Sequence, residues 1–145
     1  MPPVLFDASV YVAALRPKGD AALIFRRWIG ESPVWLSSIV LEELYAGALL
    51  RDHPVLERLE RDFDKAKRLL NPGLSDWTQA GRVLARLAQK YGYENIGKGR
   101  LTKDVLLAMS AARLGVTIMT ANPRDFARLS EFRPFRWQAI SLSRP

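Results

Sequence analysis

The chain has 145 residues, of which 48% are hydrophobic and 26% charged, and this predicts one folded domain over residues 1–145 with its own core. It has no cysteine and a single histidine, His53. This composition excludes disulfide scaffolds, thiolate metal sites and thiol nucleophiles, and disfavours Ser-His-Asp chemistry. The net charge of +7 is typical of proteins that meet nucleic acid, an anionic membrane or an acidic partner.

The N-terminus, MPPVLFDAS, lacks the basic segment and the long apolar run of a signal peptide. No uncharged apolar run approaches the roughly 18 residues that a membrane span needs. We therefore expect a cytoplasmic protein with no membrane partner.

Short β-like runs alternate with longer helical patterns in the first half of the chain. Residues 4–6 (VLF) predict a strand, residues 9–15 a helix and residues 16–20 a turn. The elements expected after this turn are a helix over 21–28, a strand over 34–38 and two helices over 39–50 and 54–70.

The same alternation continues after Pro72 and Gly73, which break the helical pattern. Ser75 or Asp76 can cap the next helix. One face of that helix is apolar and carries Ala80, Val83, Leu84, Leu87, Ala88 and Tyr91. The remaining elements are a glycine-rich basic loop over 92–102, a helix over 103–114, a strand over 116–120, a short helix starting in NPRDF (122–126) and a last strand over 138–142.

Strands separated by helices predict an α/β fold with a central, mostly parallel sheet flanked by helices. Ligands of such folds bind outside the carboxyl ends of the strands. Asp7 directly follows the first strand, and Asn122 and Asp125 follow the strand over 116–120. These three residues are therefore expected at the same edge of the sheet.

Four segments carry acids that this fold can bring together: Asp7, Glu42 or Glu43, Asp104 and Asp125. Carboxylates around one pocket repel one another, and a hard divalent cation relieves the repulsion. Mg²⁺ and Mn²⁺ prefer oxygen ligands, polarise phosphoryl oxygens and acidify water. A basic surface around such a site would hold a polyanionic substrate.

Each acid also has a structural alternative. Asp7 or Ser9 can be the N-cap of the first helix, and if Asp7 binds metal the cap is left to Ser9 or shared with it. Glu42 and Glu43 can be solvated helix surface, and Asp104 can simply complement a helix dipole. It is the joint placement of the acids that favours a site.

Asn122 has a structural alternative as well, because Asn at N-cap, Pro123 at N1 and an acid at N3 form a good helix start. The run GYENIGKG (92–99) resembles a phosphate loop, but Gly99 replaces the required Ser or Thr and no strand precedes it. A flexible loop is the better interpretation of that run.

The motifs, taken in order, resemble the PIN-domain family and, within it, the VapC-type ribonuclease toxins. The first motif is Asp7-Ala8-Ser9, and the second is the S-x-x-x-x-E-L-x-x-G segment from Ser38 to Gly47, which contains Glu43. The third is Asp104 at the start of an Ala-rich helix followed by Gly115, and the last is the T-x-N-x-x-D-F segment from Thr120 to Phe126. The resemblance covers nearly the whole chain and implies a PIN-like three-layer sandwich.

The resemblance also implies a Mg²⁺- or Mn²⁺-dependent endoribonuclease, with Asp7, Glu43 and Asp104 as core acids and metal ligands and Asp125 as the fourth. Ser9, Thr120 and Asn122 would support the site. The cations expected to contact RNA are Lys98, Arg100, Lys103 and Arg124. The basic run before Asp104, which is less charged in relatives, could equally meet an acidic partner.

The partners that the resemblance implies are an RNA substrate, a small antitoxin whose tail enters the site, and a second copy in a homodimer. Two other classes stay open. Asp7 could be the nucleophile of a strand-end-Asp phosphatase, although Ala8-Ser9 does not match the expected D-x-D. The chain could also be a non-catalytic nucleic-acid- or protein-binding domain on the same fold.

Overall fold

Five short strands form an all-parallel sheet in the order β3-β2-β1-β4-β5. The computed structural model describes residues 2–15, 32–95 and 99–141. The strands are β1 (Val4–Phe6), β2 (Val34–Ser37), β3 (Leu69–Leu70), β4 (Thr117–Thr120) and β5 (Trp137–Ala139). The central strand β1 is buried on both faces, as expected for a parallel strand that reads as a continuous apolar run.

Helices flank this sheet in the predicted three-layer α/β sandwich. They are α1 (Ala8–Leu15), α2 (Ser38–Gly47), α3 (His53–Lys65), α4 (Leu74–Tyr91), α5 (Gly99–Leu114) and α6 (Arg124–Leu129), with 3₁₀ turns at Leu50–Asp52 and Tyr93–Asn95. Helix α2 contacts α1 and α3, whereas α5 contacts α4 and α6. The predicted turn at 16–20 and helix at 21–28 lie outside the described residues.

The core sits between the sheet and these helices. Its largest fully buried members are Tyr11, Phe6, Phe126, Leu5, Leu36, Leu87, Ile118, Met119 and Leu129. The predicted apolar face of α4 is confirmed, since Ala80, Val83, Leu87 and Ala88 are buried. Helices and sheet therefore meet through the side chains that periodicity predicts.

Two predicted helices in the first half were too long. The helix expected over 54–70 ends at Lys65, because Lys67 takes a left-handed conformation (φ +58°) and Leu69–Leu70 pair with Leu36–Ser37 as β3. The helix expected over 39–50 ends at Gly47, where Ala48 becomes extended (ψ 153°). The backbone around residue 67 therefore turns the chain into the sheet.

Helix α4 begins earlier than predicted, at Leu74, with Gly73 as its N-cap in place of Ser75 or Asp76. Asp76 instead accepts the Gly73 N–H (2.9 Å) from the first turn. The buried Asp76 carboxylate also accepts hydrogen bonds from Nε (3.1 Å) and Nη2 (2.9 Å) of Arg113. These bonds connect the start of α4 to the end of α5.

The later boundaries also shift. Helix α5 begins at Gly99, so the predicted loop over 92–102 is shorter than expected, and β5 covers Trp137–Ala139 where a strand over 138–142 was predicted. In the described ranges, no helix combines the length and apolar character needed to cross a bilayer.

A carboxylate cleft at the carboxyl edge of the sheet

Two neighbouring strands end side by side at the centre of the site. The register pairs Phe6 of β1 with Met119 of β4, so the next residues, Asp7 and Thr120, lie together at the carboxyl edge. The Asp7 N–H donates to the Met119 carbonyl (3.1 Å), which extends the ladder by one bond. This confirms the predicted placement of these two segments at the same edge of the sheet.

Both oxygens of the Asp7 carboxylate accept a hydroxyl. The Ser9 hydroxyl donates to Oδ1 and the Thr120 hydroxyl to Oδ2, each at 2.5 Å, and the Val10 N–H approaches Oδ1 at 3.4 Å. Both contacts lie at the short end of the range for hydrogen bonds between oxygen atoms. Asp7 is only 8% exposed, so these donors hold its side chain in one orientation.

Burial dominates the electrostatics of Asp7. Removal from water raises the pKa of this carboxyl above its ordinary value, and the bonds from Ser9, Thr120 and Val10 lower the pKa by less than burial raises it. A nearby cation would favour the ionised form. The binding of a cation beside Asp7 would therefore lower the pKa of its carboxyl and keep the carboxylate ionised.

Ser9 lies inside α1, so the expectation that it would cap the helix is wrong. Asp7 precedes α1 and makes the contact to the first-turn N–H of Val10. The Ser9 hydroxyl, besides donating to Asp7, accepts the Ala121 N–H (3.2 Å). Ser9 thus joins β1–α1 to the segment after β4.

A cleft of about 630 Å³ opens above Asp7. It brings together acids from three elements: Asp7 after β1, Glu43 of α2 and Asp104 of α5. The other polar residues of the lining are Ser9, Lys103 and Asn122. Three of the four predicted acids therefore share one cavity.

Of the two neighbouring glutamates, Glu43 lines the cleft and Glu42 does not. The Glu42 side chain is 55% exposed and forms an ion pair with Lys103 (2.6 Å) at the rim. The hydrogen bond from Lys103 to Glu42 raises the pKa of the lysine, so it stays protonated. This pair joins α2 to α5 across 61 residues, and nothing in the sequence pattern predicted it.

Asp125 lies in the first turn of α6 and is not part of the cleft lining, although Asn122 and Phe126 on either side of it are. The predicted helix start is wrong in detail, because Pro123 occupies the N-cap. The Asn122 N–H donates to the Thr120 hydroxyl (2.9 Å), and its side chain stays available to the cleft.

The predicted RNA-contacting cations are distributed unevenly. Lys103 lines the cleft, and Arg124 is an exposed residue at the start of α6 outside it. Lys98 lies outside the described residues, as does the side chain of Arg100.

The sequence reasoning missed the apolar part of the lining, which consists of Ala8, Val12, Ile39, Val40, Leu107 and Phe126. Ile39 precedes Glu43 by one helical turn, and Leu107 follows Asp104 by one turn. Helical spacing from the acids could have found both residues.

The donor atoms in the cleft are carboxylate and amide oxygens, which match a hard divalent cation. Within residues 2–15, 32–95 and 99–141, no three His, Cys, Asp or Glu side chains stand close enough to hold a metal ion. Mg²⁺ commonly uses one or two carboxylates and keeps several waters. The residues thus fit such an ion by chemistry, with the acids on separate walls.

Structures with a similar fold include several VapBC complexes. DNA-bound VapBC from Salmonella typhimurium is 23% identical, with 96% of this chain and 98% of that chain covered and a TM-score of 0.64. VapBC2 from Rickettsia felis, bound to a promoter DNA fragment, is 19% identical, with coverage of 96% and 99% and a TM-score of 0.68. VapBC-5 from Mycobacterium tuberculosis, a member of the VapBC family of toxin-antitoxin systems, is 23% identical, with coverage of 97% and 99% and a TM-score of 0.50.

These likenesses establish the fold, and no curated protein matches the chain significantly. The sequence itself matches the family model of the PIN domain over residues 4–131, which is most of its length. The chain belongs to the PIN domain family.

Proposed function

We propose that this protein is a Mg²⁺- or Mn²⁺-dependent endoribonuclease of the VapC type and the toxin of a toxin–antitoxin pair. The observation that carries the proposal is the cleft in which Asp7, Glu43 and Asp104 meet at the carboxyl edge of the sheet. Three acids from separate segments that line one cavity offer the oxygen ligands that a hard divalent cation prefers. Membership of the PIN domain family supports the same conclusion.

A divalent cation in this cleft supplies charge stabilisation for phosphodiester oxygens and an acidified water. Asp7, Glu43 and Asp104 would hold it, with Asp125 as a fourth and more distant acid. Asp7 is oriented for this task by Ser9 and Thr120. The Asn122 amide offers a neutral group to the substrate or to water.

The proposal that RNA is the substrate is supported by the positive net charge of the chain. The chain carries 22 Lys and Arg against 15 Asp and Glu, which suits a polyanion. Lys98, Arg100, Lys103 and Arg124 remain the predicted RNA contacts. The same proposal includes RNA rather than DNA as the substrate, a cytoplasmic location, a homodimer and a single domain over 1–145.

An antitoxin partner is supported by the similar structures, which include VapBC complexes. We propose that a small partner protein covers this cleft and blocks the acids. A basic side chain from its tail would complement the charge of Glu43 and Asp104.

The phosphatase alternative is weakened by the sequence after Asp7. Ala8-Ser9 does not supply the second aspartate of the D-x-D pattern that such an enzyme is expected to carry. A non-catalytic binding domain is the stronger rival, because the acids of the described ranges do not form a ready metal cluster.

The test is cleavage of structured RNA by the purified protein with Mg²⁺ or Mn²⁺, beside Asp7→Asn, Glu43→Gln and Asp104→Asn. Each of these variants should lose about 100-fold or more in rate, the usual scale for removing one preorganised electrostatic group. Glu42→Gln is the matched control, because Glu42 adjoins Glu43 but does not line the cleft. It should retain most activity.

Thermal denaturation provides a readout that is independent of activity. Mg²⁺ at 100 times its Kd stabilises a protein by about 2.7 kcal/mol, so it should raise the Tm of the wild type and do so less for Asp104→Asn. Full cleavage in EDTA would contradict the metal-dependent mechanism. RNA binding without cleavage, unchanged in Asp104→Asn, would support the non-catalytic rival.

A further inference from the structure

A second, strongly basic surface lies between α4 and the segment that follows α6. A groove of about 400 Å³ is lined by Gln79, Arg82, Val83, Ala85, Arg86, Phe132 and Arg133. We call it the arginine groove. It shares no lining residue with the carboxylate cleft.

Two of its arginines are held across the groove by neutral acceptors. Arg86 of α4 donates Nη1 to the Phe132 carbonyl (3.3 Å), and Arg133 donates Nη1 to Oε1 of Gln79 (3.1 Å). Each guanidinium has five N–H donors, so most donors of both groups stay available to a ligand. The two contacts fix the arginines while leaving their charge uncompensated.

The charge pattern of α4 differs from that of α3. Arg82, Arg86 and Lys90 follow one another at intervals of four residues, which places like charges about 6 Å apart along one helix face. In the described part of the chain, Lys90 pairs with Glu131, while no ion pair involves Arg82, Arg86 or Arg133.

Helix α3, in contrast, interleaves its basic residues with acids: Glu57, Arg58, Glu60, Arg61, Asp62, Asp64 and Lys65. Like charges four residues apart on a helix cost stability when nothing opposes them. The arrangement on α4 therefore concentrates positive charge on one helix face, and its geometry suits phosphate groups, which guanidinium binds through paired donors.

The arginine groove is connected to the cleft by a short stretch of chain. Asn122 and Phe126 line the cleft, and Phe132 and Arg133 line the groove. Five residues lie between Phe126 and Phe132, and the segment is helical as far as Leu129, so their Cα atoms lie well within the extended-chain limit of about 22 Å. A strand of at most about six stacked nucleotides at roughly 3.4 Å each spans that limit.

We propose that the arginine groove is an accessory binding site for the phosphate backbone of RNA whose scissile bond lies in the cleft. This inference rests on the proposed ribonuclease function. Arg82, Arg86 and Arg133 bind phosphates several nucleotides away from the cut. A substrate long enough to reach both sites gains affinity, and a trinucleotide does not.

The test removes the three charges with Arg82→Gln, Arg86→Gln and Arg133→Gln together. The matched control is Arg58→Gln, Arg61→Gln and Lys65→Gln, which removes the same charge from exposed positions of α3. Binding of a labelled 20-nucleotide RNA is measured by fluorescence anisotropy in EDTA at several salt concentrations. Cleavage of this RNA and of a trinucleotide is then measured with Mg²⁺.

Each phosphate contact contributes about fivefold in affinity at 0.1 M salt and about 0.7 to the salt slope of single-strand binding. The groove variant should therefore bind up to roughly 100-fold more weakly, with a slope smaller by about 2, and the control should change little. The preference in kcat/KM for the 20-nucleotide RNA over the trinucleotide should fall in the groove variant.

Equal weakening in groove variant and control would assign the effect to net charge and overturn the proposal. Unchanged RNA binding in the groove variant would also overturn it and leave an acidic protein as the occupant. If no variant and no wild-type protein cleaves either RNA, the ribonuclease function fails, while the anisotropy comparison still decides whether the groove binds the backbone.

Discussion

Thr120→Val removes one hydroxyl from the centre of the cleft and leaves the shape of the side chain almost unchanged. Thr120 is fully buried, and its hydroxyl donates to Oδ2 of Asp7 (2.5 Å) and accepts the Asn122 N–H (2.9 Å). A hydrogen bond to a charged group contributes about 1.5–3 kcal/mol, and the unpaired N–H adds about 1 kcal/mol. We expect Thr120→Val to lose about 3 kcal/mol of stability.

Urea denaturation at pH 7 measures this loss directly. In a chain of this size a loss of 1 kcal/mol lowers the Tm by about 2–4 °C, so thermal scans should show a decrease of roughly 10 °C. Thr120→Ser is the matched control, because it keeps the hydroxyl and loses only one methyl group, at a cost of about 1 kcal/mol.

The same variant should change the pH dependence of catalysis. The Thr120 hydroxyl lowers the pKa of Asp7 against the stronger effect of burial, so its removal raises that pKa further. The acid limb of the pH–rate profile should then move to higher pH in Thr120→Val and stay in place in Thr120→Ser. A larger loss of stability in Thr120→Ser than in Thr120→Val would refute the hydrogen-bond argument and make Thr120 a packing residue.

Three further predictions concern other parts of the chain. Asp76→Ala should cost about 2–4 kcal/mol by urea denaturation at pH 7, because Arg113 and the first turn of α4 lose their shared acceptor. Gly81→Ala, in the exposed middle of α4 with open space around the added Cβ, should stabilise by about 0.5–1 kcal/mol, whereas Gly115→Ala at φ +69° should destabilise by about 1–2 kcal/mol. Asp125→Asn should reduce RNA cleavage less than Asp104→Asn, because Asp125 does not line the cleft.

The pH dependence of the Asp76 effect has a definite sign. Burial raises the pKa of Asp76, but the bonds from Arg113 and the Gly73 N–H and the Arg113 charge outweigh it, so the pKa lies below its ordinary value. A lowered carboxyl pKa adds stability above the unfolded-state value of about 3.9, and this contribution is lost as the pH falls below it. The difference between wild type and Asp76→Ala should therefore shrink between pH 6 and pH 3.

Each of these three predictions has a result that would contradict it. A difference for Asp76→Ala that grows toward pH 3 would reverse the assigned sign. Equal effects of Gly81→Ala and Gly115→Ala would show that the left-handed backbone at Gly115 is not required. A loss in Asp125→Asn as large as that in Asp104→Asn would contradict the lesser role assigned to Asp125 from its position outside the cleft lining.

Local pattern was sufficient to predict the carboxyl edge of the sheet. The apolar runs at Val4–Phe6 and Thr117–Thr120 are strands, and parallel strands end at one edge, so Asp7 and Thr120 were expected at the same edge. Their direct contact depends on the pairing of β1 with β4. The spacing of apolar residues in α4 likewise predicted its buried face.

Features that depend on long-range pairing could not be predicted in this way. Leu69–Leu70 is too short to show a strand period, and it becomes β3 only because β2 offers a partner. The Lys103–Glu42 pair spans 61 residues, and Arg113–Asp76 spans 37. No local signal marks which cation will meet which acid over such distances.

The bond between Asp7 and Thr120 has a consequence for synthesis of the chain. The two residues are 113 positions apart, and β1 gains its β4 neighbour only when the later strand exists. At about 5–20 residues per second, the ribosome needs roughly 6–23 s to add that length. During this time Asp7 lacks one of the two hydroxyls that orient it. The hydrogen bonds that orient Asp7 are therefore complete only after β4, late in the chain, has been synthesised.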